Sequence, residues 1–177
     1  MKNIVLIILM LGLFAPIAAA QDFRELAKGK MKSVHFMAGI WEGEGWAYSS
    51  QGEKEYTQVK EKIVFKLDST VLYIEGLGTR KEGEKVSVVH DALAILYYDV
   101  FQREYKMNSF ISRGMSTNAQ VELKENQTVV WWFKAGPVMT IRYTLTINDD
   151  VWTEYGERSS DGENWMKFFE MTLKRVN

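Results

Sequence analysis

After Gly39 the hydrophobic pattern takes a period of two and keeps it to the end of the chain, the spacing of half-buried strands rather than helices. Ten strand-like runs follow one another: 40–48, 56–67, 71–79, 86–99, 104–112, 119–124, 128–134, 138–147, 151–157 and 165–176. They carry the β-branched and aromatic residues that fit a pleated surface. Of the two prolines only Pro137 falls in this region, and it sits between runs. With no repeat, linker or low-complexity stretch, the pattern predicts one all-β domain, a ten-stranded antiparallel up-and-down barrel. Only 22–37 reads as helical, with Asp22 as its cap and Phe23, Leu26, Ala27 and Lys30 at helical spacing.

The connections predict the two ends of that barrel. Asp68-Ser69, Glu125-Asn126-Gln127 and Asn148-Asp149-Asp150 read as tight turns, with a somewhat longer link near Phe101. The intervening links at 49–55, 80–85, 113–118 and 158–164 are longer and rich in glycine, serine and charge. Alternate loops of a meander lie at opposite ends, so one end is expected to be a closed base and the other an open mouth with mobile loops.

Residues 1–20 read as an export signal: Lys2, an apolar run from Ile4 to Phe14, and small residues at Ala18-Ala19-Ala20 before the polar Gln21. That run is shorter than the roughly 20 residues a membrane span needs. Residues 21–177 then form the barrel domain, exported to the periplasm or secreted, with no stable membrane anchor. The chain has no cysteine, hence neither a disulfide nor a lipid-bearing cysteine. Its 22 basic and 23 acidic residues, with no basic cluster, argue against a nucleic-acid partner. Two histidines without cysteine make no conventional zinc or iron–sulfur site. No phosphate-binding glycine loop or nucleophile elbow occurs, and no catalytic residue is assigned.

Trp41 begins the first strand and Arg175 nearly ends the last, so antiparallel closure brings both to the same end. Met171, Leu173 and Arg175 alternate with Glu170, Thr172 and Lys174, which puts Arg175 on the inner side. A guanidinium stacked on the indole would plug the base.

A short N-terminal helix, Gly39-Ile40-Trp41 and a late basic residue able to meet that tryptophan resemble the calycin superfamily of lipocalin-like barrels. Ten strands, and the stretch Gly39-Ile40-Trp41-Glu42-Gly43-Glu44-Gly45, are similar to the nitrobindin-like barrels. The spacing Trp152, Glu154, Gly156, Asp161-Gly162, Trp165 resembles a hairpin of uncharacterised exported bacterial lipocalin-like proteins. The resemblance implies a binding protein with an internal pocket. Nitrobindin-like proteins hold haem iron through a late histidine, and runs 151–157 and 165–176 contain none. The resemblance therefore carries no haem ligand to this chain; Tyr155 is the one alternative ligand, set against the usual packing role of a strand tyrosine.

Strand phase names the expected pocket. Val86, Val88, His90, Ala92, Ala94 and Leu96 share an uncharged face, which places His90 in the lumen, with Asp91 pointing the other way. Thr57, Val59, Glu61, Ile63, Phe65 and Leu67 form a second inward face with one carboxylate, and Glu61 lies about 10 Å from His90 across two strands. Tyr105, Met107, Met139, Ile141, Tyr143, Phe169 and Met171 complete the apolar lining. Glu42 and Glu44 alternate with Trp41, Gly43 and Gly45 and so face solvent, and Arg142 likewise reads as outward. Leu93, Ile95 and Tyr97 make an apolar outer stripe for the N-terminal helix or a second copy to cover. The expected function is binding of a small hydrophobic molecule, lipid-like or tetrapyrrole-like. The alternatives are an enzyme on a hydrophobic substrate with His90 as acid or base, and an interaction module with a filled barrel.

Overall fold

The helix α1 (Ala15–Met31) runs into a 3-10 turn (Lys32–Met37), and ten strands follow in the computed structural model, which describes residues 15–176. They are β1 (Gly39–Tyr48), β2 (Lys54–Lys66), β3 (Val71–Glu82), β4 (Lys85–Asp99), β5 (Glu104–Ile111), β6 (Ser116–Lys124), β7 (Thr128–Ala135), β8 (Met139–Asn148), β9 (Val151–Ser159) and β10 (Met166–Val176). Each pairs antiparallel with the next, and β1 pairs with β10, so the sheet closes. The chain is the expected ten-stranded barrel with a short N-terminal helix. Most of the expected export signal lies outside the described residues. Asp22 does not cap α1 but lies within it, because the alanine-rich stretch before it continues the helix. Among the described residues no helix is long and apolar enough to cross a membrane.

The base is sealed from two directions. Met31, Val34 and Met37 are buried beneath the barrel, while Trp41, Ile63, Leu72, Leu96, Val129, Leu145, Ile147, Trp152 and Leu173 fill its lower interior. Trp41 is fully buried, meets Trp152 edge-on at 5.6 Å between ring centres, and donates from Nε1 to the Met37 carbonyl at 2.9 Å. Arg175 pairs with Trp41 across the β1–β10 seam and stacks its guanidinium 3.9 Å from the indole centre. Its donors go to Asp150 Oδ1 at 2.7 Å, to the Phe36 carbonyl at 2.9 Å and to the Ala38 carbonyl. Gly39 explains why this junction begins with glycine: its φ is +144°, and a Cβ there would strike the Arg175 guanidinium. Asp149 and Asp150 both take left-handed φ in a two-residue hairpin turn, which presents Asp150 to Arg175.

The helix packs over the base links. Lys28 bridges to Asp68 at 3.1 Å, Phe23 meets Phe101 at 5.3 Å, and the Tyr105 hydroxyl donates to the Lys30 carbonyl at 2.7 Å. At the mouth, the expected long link at 80–85 is instead a tight turn at Gly83-Glu84, because β3 and β4 continue beyond their apolar runs. Of the remaining mouth links 49–53 and 160–165 exceed every base turn, whereas 112–115 and 136–138 do not. Two bulges break the alternation. In β4 Gly78 faces His90 but Thr79 faces Val88, leaving Val89 unpaired; in β10 Phe168 is the extra residue. The first bulge overturns the inward placement of Val86 and Val88, each 61% exposed, and turns Ser87 inward opposite Arg80.

Candidate ligand-binding lumen

Above the sealed base the inward side chains stop being fully buried. Glu61, Trp131, Phe133, Ile141, Tyr143 and Phe169 occupy inner positions by register, yet each keeps accessible surface. These inward residues retain accessible surface, so the upper interior is less completely filled than the base.

The wall of that space is aromatic on one side. Trp131 stacks on Tyr143 at 4.1 Å with 10° between planes, and Tyr143 meets Phe168 and Phe169 edge-on at 5.8 Å each. Gly156, facing Tyr143 across the β8–β9 pair, makes room for its ring: a Cβ there would lie 2.7 Å from the Tyr143 edge. Gly76 does the same for Glu61, whose carboxylate oxygens would be 2.7 and 2.9 Å from a Cβ. Small residues thus set the two polar side chains in the lumen.

Glu154 completes this group. It is buried on β9, accepts from Trp152 Nε1 at 3.1 Å and is approached by Trp131 Nε1 at 3.4 Å. Burial pushes its carboxyl up to about 7, partly offset by those two indole donors. Burial also holds the Glu61 carboxyl well above the usual carboxylate range, and the Glu154 charge pushes it in the same direction. Burial and then Glu154 raise the Tyr143 phenol too. Two carboxyls and a phenol therefore share one electrostatic environment inside the barrel.

All nine expected lining residues stand on the inner face by register, but not as one cluster. Met107 and Met171 are buried, and Tyr105 is held against the helix at the base, while Met139 and Ile141 stand higher on the wall. His90 is on the inner phase but exposed at the rim. Desolvation by the wall and the Arg113 charge lower its imidazole pKa, while Asp91 opposes them. It forms no pair with Glu61, whose neighbouring charge is Glu154: the sequence spacing counted strands, and the closed barrel brings β9 across to β2 instead. Glu154, Trp131 and Trp152 were missed as site residues. The signal was present, because Glu154 alternates in phase between Trp152 and Gly156.

The rest of that hairpin spacing is structural. Asp161 accepts from Ser159 Oγ, from the backbone N–H groups of Glu163 and Asn164 and from the Asn164 amide, which holds its carboxyl well below the usual range. Trp165 donates to the Gly162 carbonyl and lies under Arg142, 3.7 Å from the indole centre. Glu42 and Glu44 point outward and are engaged by Lys60 at 2.6 Å and Gln58 at 2.7 Å.

The haem implied by the nitrobindin resemblance does not fit these residues. The inner faces of β9 and β10 present no imidazole, and Tyr155 lies on the outer phase with Lys167 5.0 Å from its ring centre. Among the described residues no group of three or more histidine, cysteine or acidic side chains could hold a metal ion.

Two solved structures share this architecture. Rv2717c from M. tuberculosis superposes with a TM-score of 0.61 at 9% identity, over 83% of this chain and 97% of its own. The S-type phycobiliprotein lyase CPES from Guillardia theta gives 0.57 at 11% identity, over 88% of this chain and 98% of its own. The chain has the same barrel fold as these two proteins. No protein-family model matches the sequence, and no curated protein matches it.

Proposed function

We propose that this chain is an exported barrel that binds a small hydrophobic molecule in its upper lumen. The observation that carries this reading is the set of inward aromatic and apolar side chains, from Trp131 to Phe169, that face the lumen without being filled in. Within the calycin fold the Gly39-Ile40-Trp41 start supports a place near the nitrobindin-like barrels and the exported bacterial lipocalin-like proteins, with a ligand held by contacts other than a late histidine. Residues 1–20 would direct export and be removed. Leu93, Ile95 and Tyr97, aligned on the outer phase of β4 and half-buried, would form the contact in a homodimer.

The protein purified from its own cells and sprayed under native conditions should carry a low-mass apolar companion at one equivalent per chain, released on denaturation. A bare mass, together with no displacement of a hydrophobic fluorescent probe, would remove the binding reading. Substituting His90→Ala separates the rival enzyme: a rim residue of a binder changes affinity modestly, whereas loss of turnover on a hydrophobic ester or amide would favour acid–base chemistry.

A further inference from the structure

We propose that the molecule bound in this lumen is an apolar organic cation, its ammonium head seated against Glu61, Glu154 and Tyr143. The inference rests on the reading of the barrel as a binder of apolar molecules and adds the charge of the ligand.

Four observations carry it. First, two carboxyls stand at mid-height inside the barrel without a cation. Arg175, below, is taken by Asp150 and two backbone carbonyls; Arg80, toward the mouth, is paired through Nη2 with Glu55 at 2.7 Å and keeps its Nε buried without a partner; Arg158 is exposed, with its guanidinium near the Met166 sulfur. Second, neither the Tyr143 hydroxyl nor the Glu61 carboxylate has a hydrogen-bond partner among the described residues, and both stand on the inner face with accessible surface, open to an incoming donor. Polar groups held there are stabilised by an incoming donor. Third, the adjoining wall is built of the Trp131, Tyr143 and Phe169 rings, whose faces attract a cation where they are not stacked on one another. Fourth, Gly76 and Gly156 leave the space that the carboxylate and the phenol ring occupy, so their placement is built into the sheet.

The same geometry favours an ammonium over an ordinary fatty acid, whose carboxylate would oppose ionisation of Glu61 and Glu154 and could be held only by their protonated forms. The titratable groups facing this level are Glu61 from β2, Tyr143 from β8 and Glu154 from β9. By register the inner neighbours of Glu61 are Trp41 on β1 and Gly76 on β3, with Ala92 next on β4, and those of Tyr143 and Glu154 are Trp131, Gly156, Leu145 and Met171, none of which titrates; the charged inner-phase residues are Arg175 below and Arg80 and Arg158 toward the mouth. A cation bound here therefore displaces protons from the carboxyls, and a neutral ligand does not.

The test is calorimetric titration of the whole processed protein at pH 7 with decylammonium, decanol and decanoate, each below its micelle concentration and in two buffers of different ionisation enthalpy. Decylammonium should bind at least about tenfold tighter than decanol and release protons, with decanoate weakest. Glu61→Gln and Glu154→Gln, each checked for folding by its melting transition, should each cut the preference for the amine over the alcohol to within about threefold. Equal affinity for all three probes, or amine binding without proton release, overturns the charge inference and leaves the pocket standing. No binding of any probe overturns the pocket and this inference together.

Discussion

The two ends of the barrel solve opposite problems with the same alternating strands. At the base, aromatic and aliphatic side chains from nine positions interlock over Met31, Val34 and Met37, and the inward Arg175 has its donors engaged by Asp150, Phe36 and Ala38. In the upper lumen, aromatic side chains face space and two carboxyls stand without a partner cation. The base spends its polar groups on closure. The lumen leaves the Glu61 carboxylate and the Tyr143 hydroxyl without a protein partner among the described residues but with accessible surface, where a ligand can reach them. Stability should therefore concentrate at one end and ligand recognition at the other.

The largest expected effect falls on the base. Trp41→Ala removes a fully buried indole, its bond to Met37 and the surface on which Arg175 stacks, and should cost about 3–5 kcal/mol in urea denaturation, enough to threaten folding. If the base were not the stabilising end, the loss would be no greater than for an exposed aromatic such as Tyr56.

The next effect belongs to the lumen and has a defined sign. Glu154 keeps its proton to about pH 7 in the folded barrel and releases it near 4.5 when unfolded. The folded state therefore binds more protons between those values, and stability falls as pH rises through them: this contribution is fully present below about 4.5 and lost above about 7. At roughly 1.4 kcal/mol per unit the loss is about 3 kcal/mol, and Glu61, raised by burial, adds to it with the same sign. Chemical denaturation at pH 5 and pH 8 should show the ligand-free protein more stable in acid, and Glu154→Gln should flatten that difference by raising stability at pH 8.

Two glycine substitutions sharpen the contrast within the lumen. Gly156→Ala drives a methyl into the Tyr143 ring, which is fixed by Trp131 and Phe169, and should cost about 1–3 kcal/mol. Gly76→Ala meets only the end of the flexible Glu61 side chain and should cost less in thermal melts while moving that carboxylate. The smallest effect is expected for Tyr143→Phe, which removes a hydroxyl without a partner among the described residues and should shift stability by no more than about 0.5 kcal/mol.

The fold was legible because alternation and turn residues repeat ten times, and because Trp41 and Arg175 stand in phase at opposite ends of the barrel sequence. The bulge at Val89 was not legible. β4 itself carries no glycine or proline there, the glycine at the shift being Gly78 on the partner strand, and it turned Val86, Val88 and Ser87 over to the other face. Lining residues followed from phase, but the company they keep did not: which side chains share a height depends on the stagger of the closed sheet, which brings Glu154 toward Glu61 and leaves His90 at the rim. Glu154 itself looked like one member of a hairpin motif, since a carboxylate between a tryptophan and a glycine does not reveal which face is dry.

Filling the upper lumen tests the central contrast most directly. Ala92 is a small, half-buried inward residue beside Gly76, level with Glu61. With Ala92→Trp, binding of a hydrophobic fluorescent probe should fall at least about tenfold while the denaturation midpoint stays within error of the parent, because the indole enters existing space. Unchanged probe binding, or a barrel that no longer folds, would show that the upper interior is not the hollow binding space described.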